Sequence, residues 1–278
     1  MHSELDRTLA TLARARHAEE VEAILSLSTL PEDRLREGVV ERIAWLAEHN
    51  KADSGAHVRT ALVRALEHLG RAADVPLLER MANTHEFLGT SDVAGLLRAT
   101  ALVGLRRLDP GLAAFHAVRL LAEPAVSMSG DPLLTAVRVL ADLREAAPLY
   151  RYLLGPEPYL ADAVGEALRG MTGTPASVVL SLFEVYRDDV DDTVLVGLID
   201  LLLRHEDRAA LRPATVGLLV ATPSIDLYRF AVTEMVALRR VDLAEAMAAH
   251  PDRGGKAKSA ILEESLSLLP ATRVNRDA

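Results

Sequence analysis

Residues 58–81 read VRTALVRALEHLGRAADVPLLERM, and the reading of this stretch decides the fold. Val58, Ala61, Leu62, Ala65, Leu66 and Leu69 recur at three- and four-residue steps, which puts them on one face of a helix. The segment from Gly70 to Asp74 interrupts the pattern. Val75, Leu77, Leu78 and Met81 then supply a second apolar face. Two helices this short cannot enclose a core alone, so they require neighbours of the same kind.

The chain provides such neighbours. With Leu69 as the last apolar position of a first helix, the equivalent positions are Leu108, Leu143, Met171, His205 and Leu238, at spacings of 39, 35, 28, 34 and 33 residues. Small residues recur inside the first helices: Ala61 and Ala65, Thr100 and Gly104, Thr135, Ala163 and Ala167, and Gly197. Small side chains there let stacked hairpins approach closely. Pro76, Pro110, Pro148 and Pro175 fall near the starts of the second helices, where a missing amide hydrogen matters least. Asp131 and Pro132 read as a cap followed by a first-turn proline.

Upstream, helices are expected over 3–16, capped by Ser3, over 17–27, and from Pro31 onward. The expected organisation is a divergent helical cap at 1–56, about six repeats over 57–254, a closing helix at 255–269 and a disordered tail at 270–278. The expected fold is all-α: an α-α superhelix (solenoid) of antiparallel helical hairpins in one continuous domain, with no β-sheet.

This pattern resembles the HEAT and HEAT-like repeat family, including the short form found in phycobilin lyase subunits. The correspondence lies in the opening Val58-Arg59-x-Ala61-Leu62, the close Ala65-Leu66-x-x-Leu69-Gly70 and the second-helix start Asp74-Val75-Pro76-Leu77-Leu78. It spans residues 58–250, with later units keeping only the apolar skeleton. The tetratricopeptide pattern fits worse, because its Trp, Gly and Tyr positions have no counterparts at constant spacing. The HEAT-like resemblance implies stacked hairpins whose second helices line a concave face. It also implies two enzyme-like alternatives. One is an alkylpurine DNA glycosylase-like protein, which calls for a basic concave face with tryptophans. The other is a phycobilin lyase-like protein, which calls for a bilin-bearing partner.

Composition narrows the functions. The chain has 278 residues, 50% hydrophobic and 26% charged, enough for a sizeable core. It contains no cysteine, which excludes disulfides, thiolate metal sites and cysteine nucleophiles, and fits a reducing compartment. A net charge of −9 disfavours nucleic acid as a partner, since phosphate binding needs cations. Aromatic residues at 4% are thin for base stacking or an aromatic cofactor pocket. No run of about 18 apolar residues occurs, so a cytoplasmic protein without a membrane span is expected. Apart from Lys51, Lys256 and Lys258 the cations are arginines. Their forks suit carboxylate and phosphate partners, but a GC-rich bacterial coding bias is the simpler explanation.

Catalytic signatures are missing from the sequence: there is no Walker loop, G-x-G-x-x-G or G-x-S-x-G. His85–Glu86 and His205–Glu206 lack the second histidine of a helical zinc site. Asp188, Asp189, Asp191 and Asp192 lack calcium-loop spacing and read as a solvated turn with capping acids. No catalytic residue, cofactor or metal is expected.

Three surfaces remain. Long connections at 50–56, 83–91 and 123–131 fall on one edge of a stacked array. With the residues flanking them they carry His49, Lys51, Asp53 and His57, then His85, Glu86 and Phe87, then Met128 and Asp131. They are either partner contacts or neutral insertions. Trp45 lies opposite the stripe Leu35, Val39, Val40, Ile43, Leu46 and Ala47, so it either packs on the N-terminal helices or anchors a partner. Arg80 and Arg119 each follow the reference leucine by 11 residues. With Tyr150, Arg151 and Arg187 they form either a groove for acidic peptide or phosphate, or ordinary ion pairs with Glu79, Glu123 and Glu184. The expected function is a non-catalytic scaffold that binds another protein.

Overall fold

A computed structural model describes residues 2–28, 31–123, 130–155, 160–250 and 254–266. Three helices open the chain: α1 (His2–Arg14), α2 (Ala18–Leu27) and α3 (Glu32–Glu48). Pro31 is the N-cap of α3, and Glu32 and Asp33 occupy the first turn, where the helix dipole favours acids. First and second helices then alternate: α4 (His57–Leu69) and α5 (Val75–Ala82), α6 (Gly95–Leu108) and α7 (Pro110–Leu121), α8 (Leu133–Asp142) and α9 (Ala146–Leu153), α10 (Ala161–Arg169) and α11 (Ala176–Tyr186). The series continues with α12 (Asp192–Arg204) and α13 (Arg208–Ala221), α14 (Ile225–Ala237) and α15 (Val241–Ala249), and ends in α16 (Lys256–Leu266). Leu69 and Leu108 are the last residues of α4 and α6, and Leu143, His205 and Leu238 are the C-caps of α8, α12 and α14. The aligned register therefore marks real helix ends. Met171 lies just past α10.

The all-α class holds, with one correction. Phe87–Leu88 (β1) and Ser91–Asp92 (β2) pair antiparallel, Phe87 opposite Asp92 and Leu88 opposite Ser91. Gly89 turns the hairpin with φ +63, the positive value that tight two-residue turns require. Pro132 is likewise the N-cap of α8, one place before the first turn. The tail at 270–278 lies outside the described residues.

Two compact units are present, Met1–Glu145 and Ala146–Ala278. In the first, α4, α6 and α8 lie side by side, α2 and α3 pack on α4, and α5 and α7 pack on α6. In the second, α10, α12, α14 and α16 form one row and α11, α13 and α15 another. Helix α12 is buried from Val194 through Leu203 apart from Val196, which explains why its sequence, TVLVGLIDLLL, is apolar all round. Small residues let α10 and α12 approach. A Cβ on Gly197 would lie 2.4 Å from the Gly165 carbonyl oxygen, and one on Gly165 would lie 2.8 Å from that of Thr193.

Side-chain cations tie helices to one another within each unit. Arg107 on α6 reaches back to the Gly70 carbonyl that ends α4. Arg119 on α7 donates to the Ala82 carbonyl at the end of α5, at 2.6 Å. Arg240 donates to Leu203 in the last turn of α12, also at 2.6 Å. In each case donor and acceptor are 37 residues apart. Lys258 on α16 gathers the carbonyls of Leu219, Val220 and Thr222 at the end of α13. The last carbonyls of a helix have no intrahelical donor and carry its negative pole, so a cation satisfies both the hydrogen bond and the dipole.

Two alanine substitutions separate packing from propensity. Gly197→Ala should lower stability by about 1–3 kcal/mol, because backbone rather than a flexible side chain blocks the new methyl. Gly217→Ala in α13 meets nothing within 4 Å and should raise it by about 0.5–1 kcal/mol. Urea unfolding of both variants checks the contrast.

Candidate functional site

The connection after α3 begins as a short turn, Asn50–Asp53, and its function starts with Asp53. This residue is 5% exposed, and its carboxylate accepts from the amides of Val58 and Arg59 at 2.9 and 3.0 Å. It thereby satisfies the amino end of α4, whose own N-cap, Ala56, has no side chain to do so. The same carboxylate takes Arg59 Nε at 2.9 Å. The other end of the Arg59 fork grips Glu86 through both nitrogens, at 2.6 and 2.8 Å. Arg59 is 1% exposed. Burial disfavours its charge, but the carboxylates of Glu86 and Asp53 outweigh that and hold its pKa above the ordinary value.

Arg98 repeats the device on α6. It too is 1% exposed and pairs with Asp92 at 2.7 Å and Glu123 at 2.8 Å, while donating to the Thr84 carbonyl at 2.9 Å. His85 sits against Asp92 at 3.1 Å, and Arg119 pairs with Glu123 at 2.7 Å. Burial pushes the Asp92 carboxyl up, but the Ala94 amide, His85 and Arg98 together bring it below the usual carboxylate value. Glu86 at the foot of the hairpin is thus clamped from α4, and Asp92 from α6. Val93 N donating to Glu86 O at 2.8 Å closes the base.

The clamped connections enclose a cleft of about 640 Å³ whose lining includes Lys51, His57, His85, Phe87, Leu88 and Leu96. Above it the hairpin presents Phe87 at 66% and Leu88 at 74% exposure, with Leu96 exposed beside them. Apolar side chains held outward on a pinned backbone are the arrangement that binds with little loss of entropy.

The expected site residues divide accordingly. His57, His85 and Phe87 come together around this cleft. Trp45 lies in a separate groove beside α1, half exposed, its ring stacked on His49 at 4.4 Å. Arg80 and Arg119 part company: Arg80 is exposed, whereas Arg119 is held by Ala82 O and Glu123. Tyr150 is half-buried and Arg151 exposed on α9, in the second unit. Arg187 pairs with Glu184 and Asp188. In the acidic turn, Asp191 caps α12 by accepting from Thr193 N at 2.8 Å, and Asp189 accepts from Asp191 N. Asp131 accepts from the Thr135 hydroxyl at 2.7 Å, and Met128 lies outside the described residues. Sequence reasoning missed Arg59 and Arg98 as organisers. The available signal was their shared place, ten residues before Leu69 and Leu108, within otherwise apolar helix starts.

Among the described residues no cluster of His, Asp or Glu is placed to hold a metal ion, and no helix is long and apolar enough to cross a membrane. No family model matches the chain, and no curated protein matches its sequence.

Arg59→Met removes one charge and strands two carboxylates, so it should cost about 3–5 kcal/mol in a denaturation experiment. Acidification gives a second test. Asp74, held by Arg36 and the Arg71 amide against its own burial, is lowered like Asp92. A carboxyl depressed in the folded state stabilises fully above its unfolded value and loses that contribution as pH falls through the folded one. Stability should therefore drop as pH falls below 3.8, and Asp92→Asn should flatten the drop.

Proposed function

We propose that the chain is a HEAT-like α-solenoid that serves as a non-catalytic protein-binding scaffold, with its working surface on the loop edge of the first unit. The observation that carries this reading is the pinned hairpin. Phe87 and Leu88 are exposed, yet the residues that hold them there, Arg59 and Arg98, are among the most deeply buried in the chain. A neutral insertion does not need two buried guanidinium groups, each bridging a pair of carboxylates, at its base. The solenoid reading is supported by like helices packed side by side within each unit and by cations reaching back 37 residues to the end of an earlier helix.

Burying Phe87 and Leu88 against a partner is worth about 1.5–3 kcal/mol for each side chain. The test is affinity capture from a lysate of the native organism with the wild-type chain and with Phe87→Ser/Leu88→Ser. The variant should melt at the same temperature and lose a protein that the wild type retains. Equal recovery of every captured protein by the two chains removes the loop edge as the working surface.

A further inference from the structure

A second groove, of about 900 Å³, lies between α1 and α3, and its charge opposes that of the chain. The protein carries 31 Lys and Arg against 40 Asp and Glu. In the groove the balance reverses. Arg14 and Arg16 come from the end of α1 and just beyond it, Arg34 and Arg42 from α3, and Lys51 from the turn that follows. The acids on its walls are Glu37 and Glu41, and Glu37 is already paired with Arg34 at 2.9 Å.

Trp45 gives this cationic groove an apolar floor. It is the single tryptophan of the chain and remains 43% exposed. His49 stacks on it at an interplanar angle of 10°, and the Arg42 guanidinium lies 4.7 Å from its ring centre. Both contacts fix the ring before anything binds. Arg42 itself donates to the Ala15 carbonyl at 2.9 Å, while its Nε, shielded from solvent, has no acceptor among the described residues. Its charge therefore lacks a carboxylate of its own among the described residues. Gly38 lets α1 pack closely on α3 at the groove, since a Cβ there would lie 2.6 Å from the Leu9 side chain.

We infer that this groove binds an acidic segment of a partner protein, one that carries an apolar side chain among its carboxylates. Arginines on the rim favour carboxylates by forked hydrogen bonding, and the apolar side chain covers Trp45. Nucleic acid fits less well, because the groove offers one stacking ring and two acids, on a chain whose net charge is −9. The inference goes beyond the loop-edge reading and uses a groove whose lining shares only Lys51 with that cleft, so each can fail without the other.

Trp45 makes the test direct, because intrinsic fluorescence from tryptophan in this chain reports on the groove alone. The probes are a short Asp/Glu-rich peptide with one central leucine, the same peptide with lysines in place of the acids, and a short single-stranded oligonucleotide. The acidic peptide should change Trp45 emission saturably and bind more weakly as salt is raised. Arg14→Glu/Arg34→Glu should weaken it at least about tenfold, and Arg16→Glu, beyond the end of α1 rather than on a helix, should weaken it independently. Thermal melts confirm that each variant is folded. The inference is overturned by an absent or unsaturable response, by equal binding of the lysine peptide, by indifference to both charge reversals, or by tighter binding of the oligonucleotide. If the peptide fails while Phe87→Ser/Leu88→Ser still abolishes capture, the loop-edge reading stands and the groove inference falls.

Discussion

Cations that reach back to the carbonyl end of an earlier helix hold each unit together. Every helix leaves its last carbonyls without donors, and among packed short helices some of those ends lie against a later helix. Arg107, Arg119, Arg240 and Lys258 each supply charge and hydrogen bonds at such an end. Leaving a buried carbonyl unpaired costs about 1–3 kcal/mol, whereas a hydrogen bond to a charged donor contributes about 1.5–3. The apolar faces alone would let hairpins slide along one another. A donor that must meet a particular carbonyl sets their register.

The same logic extends from helix ends to connections. Arg59 and Arg98 stand at the starts of α4 and α6, where they bind the acids of the segments around them: Asp53 and Glu86 in one case, Asp92 and Glu123 in the other. Long connections are ordinarily mobile parts of a fold. Here they are fastened to buried positions of the helices they join. The result is a hairpin that exposes Phe87 and Leu88 without being free to fold them away. The arginine-rich composition thus has a structural use at several positions, irrespective of any coding bias.

Much of the helical framework was legible in the sequence. The three- and four-residue spacing marks one face, of which Val58, Ala61, Leu62 and Leu66 are buried while Ala65 and Leu69 are half-buried. Gly197 was read as a close-approach residue, and it sits against Gly165. The candidate edge was legible only as unusually long connections. Which of its residues point outward was not, because Asp53, Glu86 and Phe87 are alike in being loop residues and differ only in what lies beneath them. Asp53 is buried against α4, whereas Phe87 is exposed. Arg119 illustrates the same gap. It matches Arg80 when counted from the reference leucines, but an Ala82 carbonyl that no sequence pattern reveals engages Arg119.

By itself, then, the sequence determined most of the helices and their alternation, because those depend on contacts between residues three or four apart. It also determined the missing cysteine and the acidic balance, which depend on composition alone. Only the tertiary structure decided what the charged residues do. Whether an arginine caps a helix, clamps a loop or lines a groove depends on partners that can lie far along the chain, as Arg59 with Glu86, 27 residues away, and Arg119 with Ala82, 37 residues away, show. Local periodicity cannot carry that information, because a guanidinium selects its acceptor by position in space.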